Sequence, residues 1–310
     1  PQMIHFLNLI RWKNLLMIAL MQYLIKYALL LPFKESHGVL TSLSDFNFFL
    51  LVLATLLIAA GGYIINDIYD VETDKINKPN KLIINKHITE NNATALFMVF
   101  NIIGVGIGFY LANGIGKAGF FSIFFIASAL LYVYSTSLKQ IAVVGNVVVS
   151  IVVALSILLV GIFELVPAIN ANNKAVQMTF INIIRDYAIF AFLINLVREM
   201  VKDLEDIEGD QKAGIQTLPV LLGRERATKI AFIVSLVPIL SITYYVITYL
   251  FKQQIVVGYF LILVVAPLIY VSLKLFNAQQ KTQYKHISLV LKLVMLSGMG
   301  SIIIYNFILK

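Results

Sequence analysis

Apolar residues in this chain gather into long runs, and the segments between them carry most of the charge. A helix crossing a hydrocarbon core ~30 Å thick needs about 20 residues. Nine runs approach or meet that length, at about 14–33, 48–66, 93–112, 118–135, 141–162, 184–202, 229–250, 255–276 and 287–308. They predict an all-α polytopic membrane bundle, with 1–310 as a single transmembrane domain. The connecting segments alternate in character. Segments 67–92, 136–140, 203–228 and 277–286 are charged and mostly long, whereas 34–47, 113–117, 163–183 and 251–254 are less basic.

Composition supports the membrane reading. The chain is 60% apolar and 13% charged, where a soluble domain has about 45–50% and about 25%. Cysteine is absent, which excludes disulfides, thiolate metal sites and thiol nucleophiles. The four histidines, His5, His37, His87 and His286, are scattered, which argues against a zinc site built on imidazoles. The net charge of +8 suits cytoplasmic loops that collect Lys and Arg. If the N-terminus lies inside, 17 of the 24 Lys and Arg fall on the inner side and six on the outer, with Lys26 inside the first span. An integral protein of the cell's inner membrane, with a cytoplasmic N-terminus, is therefore expected. A nucleic-acid partner is not, because there is no soluble basic domain. The beginning of the chain lacks a short apolar run with a small-residue cleavage site, so no cleaved signal peptide is expected. The sequence does not specify an oligomeric state.

Two acidic stretches stand out against this background. Asn66, Asp70 and Asp74 are four apart and end the second run, with Asp67 beside them. Glu199, Asp203, Asp206 and Asp210 end the sixth run and span only ~60° around a helix. Aligned carboxylates repel, and a bound dication relieves that. Hard oxygen donors suit Mg²⁺, which pairs one or two carboxylates with water and phosphate oxygens. Both stretches fall on the basic side, and ionisable groups at such depth mark functional sites. Cations surround them: Lys75, Lys78 and Lys81, then Lys139 after Tyr134-Ser135, then Arg198, Lys202 and Lys212. They are suited to neutralising the acids or binding phosphate oxygens. Lys78 and Lys86 read more simply as ordinary loop charges. Gly61-Gly62 and Gly104, Gly106 and Gly108 read as helix-packing positions.

These residues carry a resemblance. Asn66-Asp67-Ile68-Tyr69-Asp70-Val71-Glu72-Thr73-Asp74 resembles the first aspartate motif of the UbiA superfamily of intramembrane prenyltransferases. Asp203-Leu204-Glu205-Asp206-Ile207-Glu208-Gly209-Asp210, followed by Lys212-Ala213-Gly214 and Thr217-Leu218-Pro219, resembles the second. Tyr134-Ser135 with Lys139 and Gly145-Asn146, and Arg11 with Asn14, are weaker matches in the same order. The resemblance implies nine helices around a central cavity with the acids at its cytoplasmic end. It implies Mg²⁺ held by Asn66, Asp70, Asp74, Asp206 and Asp210, with Asp203 and Glu199 as further ligands or orienters. It also implies an isoprenyl diphosphate contacted by Arg11, Asn14, Lys81, Lys139, Arg198 and Lys202. The implied reaction ionises the allylic carbon–oxygen bond and captures the carbocation with a lipophilic acceptor. Asp70, Asp206, Lys139 and Tyr134 are its expected catalytic residues. Tyr63, Tyr69, Tyr132 and Tyr134 are close enough in sequence to offer aromatic faces to the cation. The chain departs from the family at Lys81-Leu82-Ile83-Ile84-Asn85-Lys86, where many relatives carry a basic residue, proline and Ser-Gly, and at Trp12, where proline is frequent.

The lead-in Arg198-Glu199 with Lys202-Asp203 looks most like the ether-forming members, which join geranylgeranyl diphosphate to geranylgeranylglyceryl phosphate. The alternative within the family is prenylation of an aromatic quinone precursor such as 4-hydroxybenzoate, dihydroxynaphthoate or homogentisate. An ion-coupled transporter is the alternative of another class. Against it, the acids lie at span ends, and the first motif has no inverted second copy. A CDP-alcohol phosphotransferase would need a glycine-containing aspartate signature that this sequence lacks.

Overall fold

The computed structural model describes residues 2–308. Among them, nine helices are long and apolar enough to cross a membrane: α1 Trp12–His37, α2 Asp45–Tyr69, α3 Glu90–Gly114, α4 Ala118–Thr136, α5 Val144–Ala168, α6 Lys174–Lys212, α7 Arg224–Leu250, α8 Gln254–Phe276 and α9 Lys281–Phe307. The nine expected spans are all present. The largest difference is α6, which runs for 39 residues and absorbs much of segment 163–183 and the whole second acidic stretch. Gln177, Thr179, Asn182, Arg185 and Asp186 interrupt the apolar pattern after Lys174, so that this stretch reads as a loop in sequence. In the structure they are the first turns of α6, and buried Gln177 anchors them: its side-chain amide accepts from the Leu40 amide and donates to the Leu40 and Leu165 carbonyls at 3.0–3.1 Å. The peptide groups of the facing loops are thereby satisfied.

Helix starts follow local chemistry. Ser44 and Thr89 cap α2 and α3 by accepting from the Asn47 and Asn92 amides at 3.2 and 3.3 Å. Glycines let the backbones approach. A Cβ on Gly104 would meet Ile58 at 2.9 Å, and one on Gly61 would meet Asn101 at 2.6 Å. That is the packing role expected of small residues between membrane helices.

Helices α1, α2, α4, α5, α6 and α9 line a cavity of about 860 Å³. Its mouth is charged, and its walls are apolar, with Ile58, Ala59, Ile123, Leu131, Val149 and Val153. Thr55 and Ser156 line it too, and buried Gln22 ties them together, donating to the Thr55 hydroxyl at 3.1 Å and the Ser156 carbonyl at 2.8 Å. One turn beyond Gln22 on α1, Lys26 pairs with Glu164 of α5 at 2.6 Å. These two residues are only 1% and 0% exposed.

Candidate active site

The first acidic row crosses a helix junction. α2 ends at Tyr69, and Asp70 stands between it and a short helix, Val71–Asn77. The Asp70, Asp74 and Lys78 amides nevertheless donate to the carbonyls of Asn66, Asp70 and Asp74 at 2.8–2.9 Å. The i,i+4 register therefore survives, and Asn66, Asp70 and Asp74 share one row as their spacing predicts. The Asn66 amide donates to Asp70 at 2.6 Å. The second row lies on the unbroken helix α6.

Asn77 locks the two rows together. Its side-chain amide donates to the Asp206 carbonyl at 2.9 Å and accepts from the Gly209 amide at 2.9 Å. A Cβ on Gly209 would come within 2.3 Å of that amide, so glycine is needed for the close approach. Around this clamp, Lys78 pairs with Asp206 and Lys139 with Asp70, each at 2.5 Å. Asn146 donates to Asp203 at 2.8 Å. Lys139 sits on a turn tied to the segment after α6 by the Gln216 amide, which donates to the Gln140 carbonyl at 3.2 Å. Arg11 pairs with Asp67 at 2.8 Å and stacks over Tyr63, 4.8 Å from its ring centre.

Every residue expected at the site, namely Arg11, Asn14, Asn66, Asp70, Asp74, Lys81, Tyr134, Lys139, Arg198, Lys202, Asp203, Asp206 and Asp210, lines the one cavity, as does Glu199. The four tyrosines divide. Tyr63 and Tyr134 line the cavity, whereas Tyr69 and Tyr132 are 50% and 43% exposed and do not. Tyr69 sits on the outer face of the last turn of α2, one position off the acidic row. Lys78 corrects the sequence reading in the other direction. It is no free loop charge, since it reaches across 128 residues to Asp206. Lys292, outside the residues that the sequence motifs point to, lines the cavity as well. A lysine in an otherwise apolar span was the available signal.

Burial, opposed by Lys78 and reinforced by Asp70 and Asp67, pushes the Asp74 carboxyl up to about 6. Burial works against the Lys78 ammonium, but Asp206 outweighs it through charge and hydrogen bond, leaving Lys78 above its ordinary value. Among the described residues no three carboxylates or imidazoles converge closely enough to hold a metal ion as they stand, and lysines occupy Asp70 and Asp206. The donor set still fits a hard dication. It is all oxygen, and two of its buried atoms, Asn66 Oδ1 and Asp206 Oδ1, have no hydrogen-bond partner. Such atoms are costly to bury unsatisfied.

Comparison with known proteins agrees with this geometry. Residues 36–307 match the UbiA prenyltransferase family. The chain is 38% identical over 187 residues to the digeranylgeranylglyceryl phosphate synthase of Sulfolobus acidocaldarius, a match covering 60% of this chain and 62% of that protein. That stretch is under two thirds of the Sulfolobus protein's length. It is 30% identical over 250 residues to the Methanosphaera stadtmanae enzyme of the same name, covering 79% of this chain and 82% of that one. A solved digeranylgeranylglyceryl phosphate synthase structure superposes with a TM-score of 0.60 at 22% identity, covering 97% of this chain and 99% of that one. A UbiA homolog from Archaeoglobus fulgidus bound to GPP and Mg²⁺ superposes with a TM-score of 0.58 at 17% identity, covering 96% and 99%. At these identities the structural likeness establishes the fold.

Proposed function

The chain belongs to the UbiA prenyltransferase family, and from that premise we propose that it transfers a geranylgeranyl group from geranylgeranyl diphosphate to the free hydroxyl of geranylgeranylglyceryl phosphate. The observation that supports this best is the clamping of two acidic rows across one cavity mouth by Asn77, above apolar walls suited to a prenyl chain. The relatives named for this ether-forming reaction support the choice of acceptor.

Asn66, Asp70, Asp74, Asp206 and Asp210 would hold Mg²⁺, with Asp203 steadied by Asn146 beside them. Bound there, Mg²⁺ supplies positive charge that neutralises the diphosphate and favours its departure. Lys139, Lys78, Lys81, Lys202 and Arg11 supply further cations for the phosphate oxygens. They act on charge that grows as the carbon–oxygen bond breaks. The electron pair leaves with the diphosphate. The acceptor oxygen bonds to the allylic carbon, and its proton passes to the departing diphosphate. Apolar walls keep water from the carbocation, and Tyr134 in the cavity lining would offer it an aromatic face, whereas the Tyr63 ring is already stacked by Arg11. The distribution of Lys and Arg supports a mouth on the cytoplasmic side of the membrane.

The test uses purified protein in detergent with Mg²⁺, labelled geranylgeranyl diphosphate, and either geranylgeranylglyceryl phosphate or 4-hydroxybenzoate. Diphosphate release with formation of a diether phosphate is expected. Prenylation of the aromatic acid alone would reassign the acceptor. No Mg²⁺-dependent turnover with either acceptor would contradict prenyl transfer.

A further inference from the structure

Several cations of the cavity mouth are paired with carboxylates. Arg11, Lys78 and Lys139 each hold a carboxylate of the acidic rows, Asp67, Asp206 and Asp70 respectively. Lys292 on α9 differs. Among the described residues its ammonium has no acidic partner within salt-bridge reach. It donates at 2.9 Å to the neutral amide oxygen of Asn14 on α1. Arg198 lies 3.7 Å from Glu199, but Lys202 already holds that carboxylate at 3.0 Å. The Arg198 Nε is buried without a hydrogen-bond partner. Lys13, Asn14, Arg198 and Lys292 all line the same cavity as the acidic rows, where α1, α6 and α9 meet.

Like charges gathered beside low-dielectric walls repel one another and focus a positive potential on the space between them. A guanidinium nitrogen buried without an acceptor adds to that cost. Both are relieved by an anion that brings its own oxygens. A diphosphate travelling with Mg²⁺ is drawn to carboxylates that complete the metal's shell. A phosphate monoester without a metal is repelled by the same carboxylates and drawn to cations that lack them. The two kinds of lining therefore sort two kinds of anion.

We propose that Lys292, Arg198 and Asn14, with Lys13 at the rim, form a second anion subsite that takes the phosphate monoester of the prenyl acceptor. This rests on the acceptor assignment above. It moves Asn14 and Arg198 from the diphosphate to the acceptor. The subsite also has a chemical consequence. A phosphate oxygen is itself a nucleophile toward an allylic cation. Held by ammonium and guanidinium groups, that oxygen is kept from the reacting carbon, and the neighbouring hydroxyl of the glycerol is presented instead. An aromatic carboxylate shares the anionic chemistry, so the test separates the two.

Steady-state kinetics of Lys292→Met, Lys292→Arg and the unaltered protein, at saturating Mg²⁺ in detergent, provide that test. In Lys292→Met the KM for geranylgeranylglyceryl phosphate is expected to rise about tenfold or more, the loss of one charge-assisted contact. The KM for geranylgeranyl diphosphate should stay within about twofold, and Lys292→Arg should recover most of the loss. With geranylgeranylglycerol, which lacks the phosphate, the unaltered protein should already be impaired, and Lys292→Met should add nothing. Retained Mg²⁺-dependent binding of labelled geranylgeranyl diphosphate would show that the variant is folded. A rise in the diphosphate KM instead, an unchanged acceptor KM, or equal use of the phosphate-free lipid would overturn the subsite while leaving the transferase reading intact. Loss confined to 4-hydroxybenzoate as acceptor would overturn the phosphate assignment. Failure of the unaltered protein to use the phosphate acceptor at all would overturn the acceptor assignment and the subsite together.

Discussion

Asp70 and Asp206 each sit within one of the two acidic rows, and each is paired with a lysine rather than with the other row. If their task is to hold a cation against diphosphate, neutral isosteres fail even though they fit. Asp70→Asn and Asp206→Asn are each expected to lower kcat by at least about a hundredfold, a loss comparable to removing one preorganised transition-state contact. Thermal stability in detergent should change little, because each lysine pairs at a partly exposed mouth. Asp74 adds a pH dependence. Its carboxyl ordinarily ionises near 3.8 and is raised to about 6 in the folded protein. A ligand to Mg²⁺ must be deprotonated, so protonation competes with the metal as pH falls through about 6. The Mg²⁺ concentration for half-maximal activity is expected to rise below that pH. In Asp74→Asn that rise should be blunted.

At the scale of helices, the site depends on how Val71–Asn77 docks on α6. Asn77 satisfies two backbone groups of the second motif, and Gly209 leaves it room. Displacing reacting groups by about 1 Å can cost roughly a hundredfold in rate. Gly209→Ala and Asn77→Ala are therefore expected to depress kcat by about that factor while the nine helices still form, as circular dichroism would report. The sequence displayed the acidic rows because i,i+4 spacing is local. It did not display what joins them. Asn77 meets Asp206 across 129 residues, and Lys78 meets the same residue across 128. Lys292 reaches Asn14 across 278. No periodicity records such partnerships, and Lys78 read as a loop charge for that reason. Span positions were legible from apolar runs, whereas the start of α6 was hidden because Gln177, Thr179, Asn182, Arg185 and Asp186 interrupt its apolar pattern, and Gln177 finds its partners in distant loop peptides.

At the scale of the whole molecule, the bundle has one charged end and one sealed end. The sealed end holds Lys26 and Glu164, fully buried and bonded also to the Leu43 carbonyl and to the Ser42 and Leu43 amides. Removing one member of such a pair leaves an uncompensated charge and costs about 3–5 kcal/mol. Lys26→Met or Glu164→Leu is expected to lower thermal stability in detergent sharply, and the double variant by less than the sum of the two. That end ties α1 and α5 to the loop before α2. The proposed function has two distant motifs act as one metal clamp at the charged end, and a double-mutant cycle on Mg²⁺-dependent binding of labelled geranylgeranyl diphosphate tests that directly. Asp70→Asn and Asp206→Asn should each weaken binding at fixed Mg²⁺ by about tenfold or more, and the double variant should be scarcely worse than either. If the two losses simply multiply, or if either variant binds as the unaltered protein does, the two rows do not share a metal.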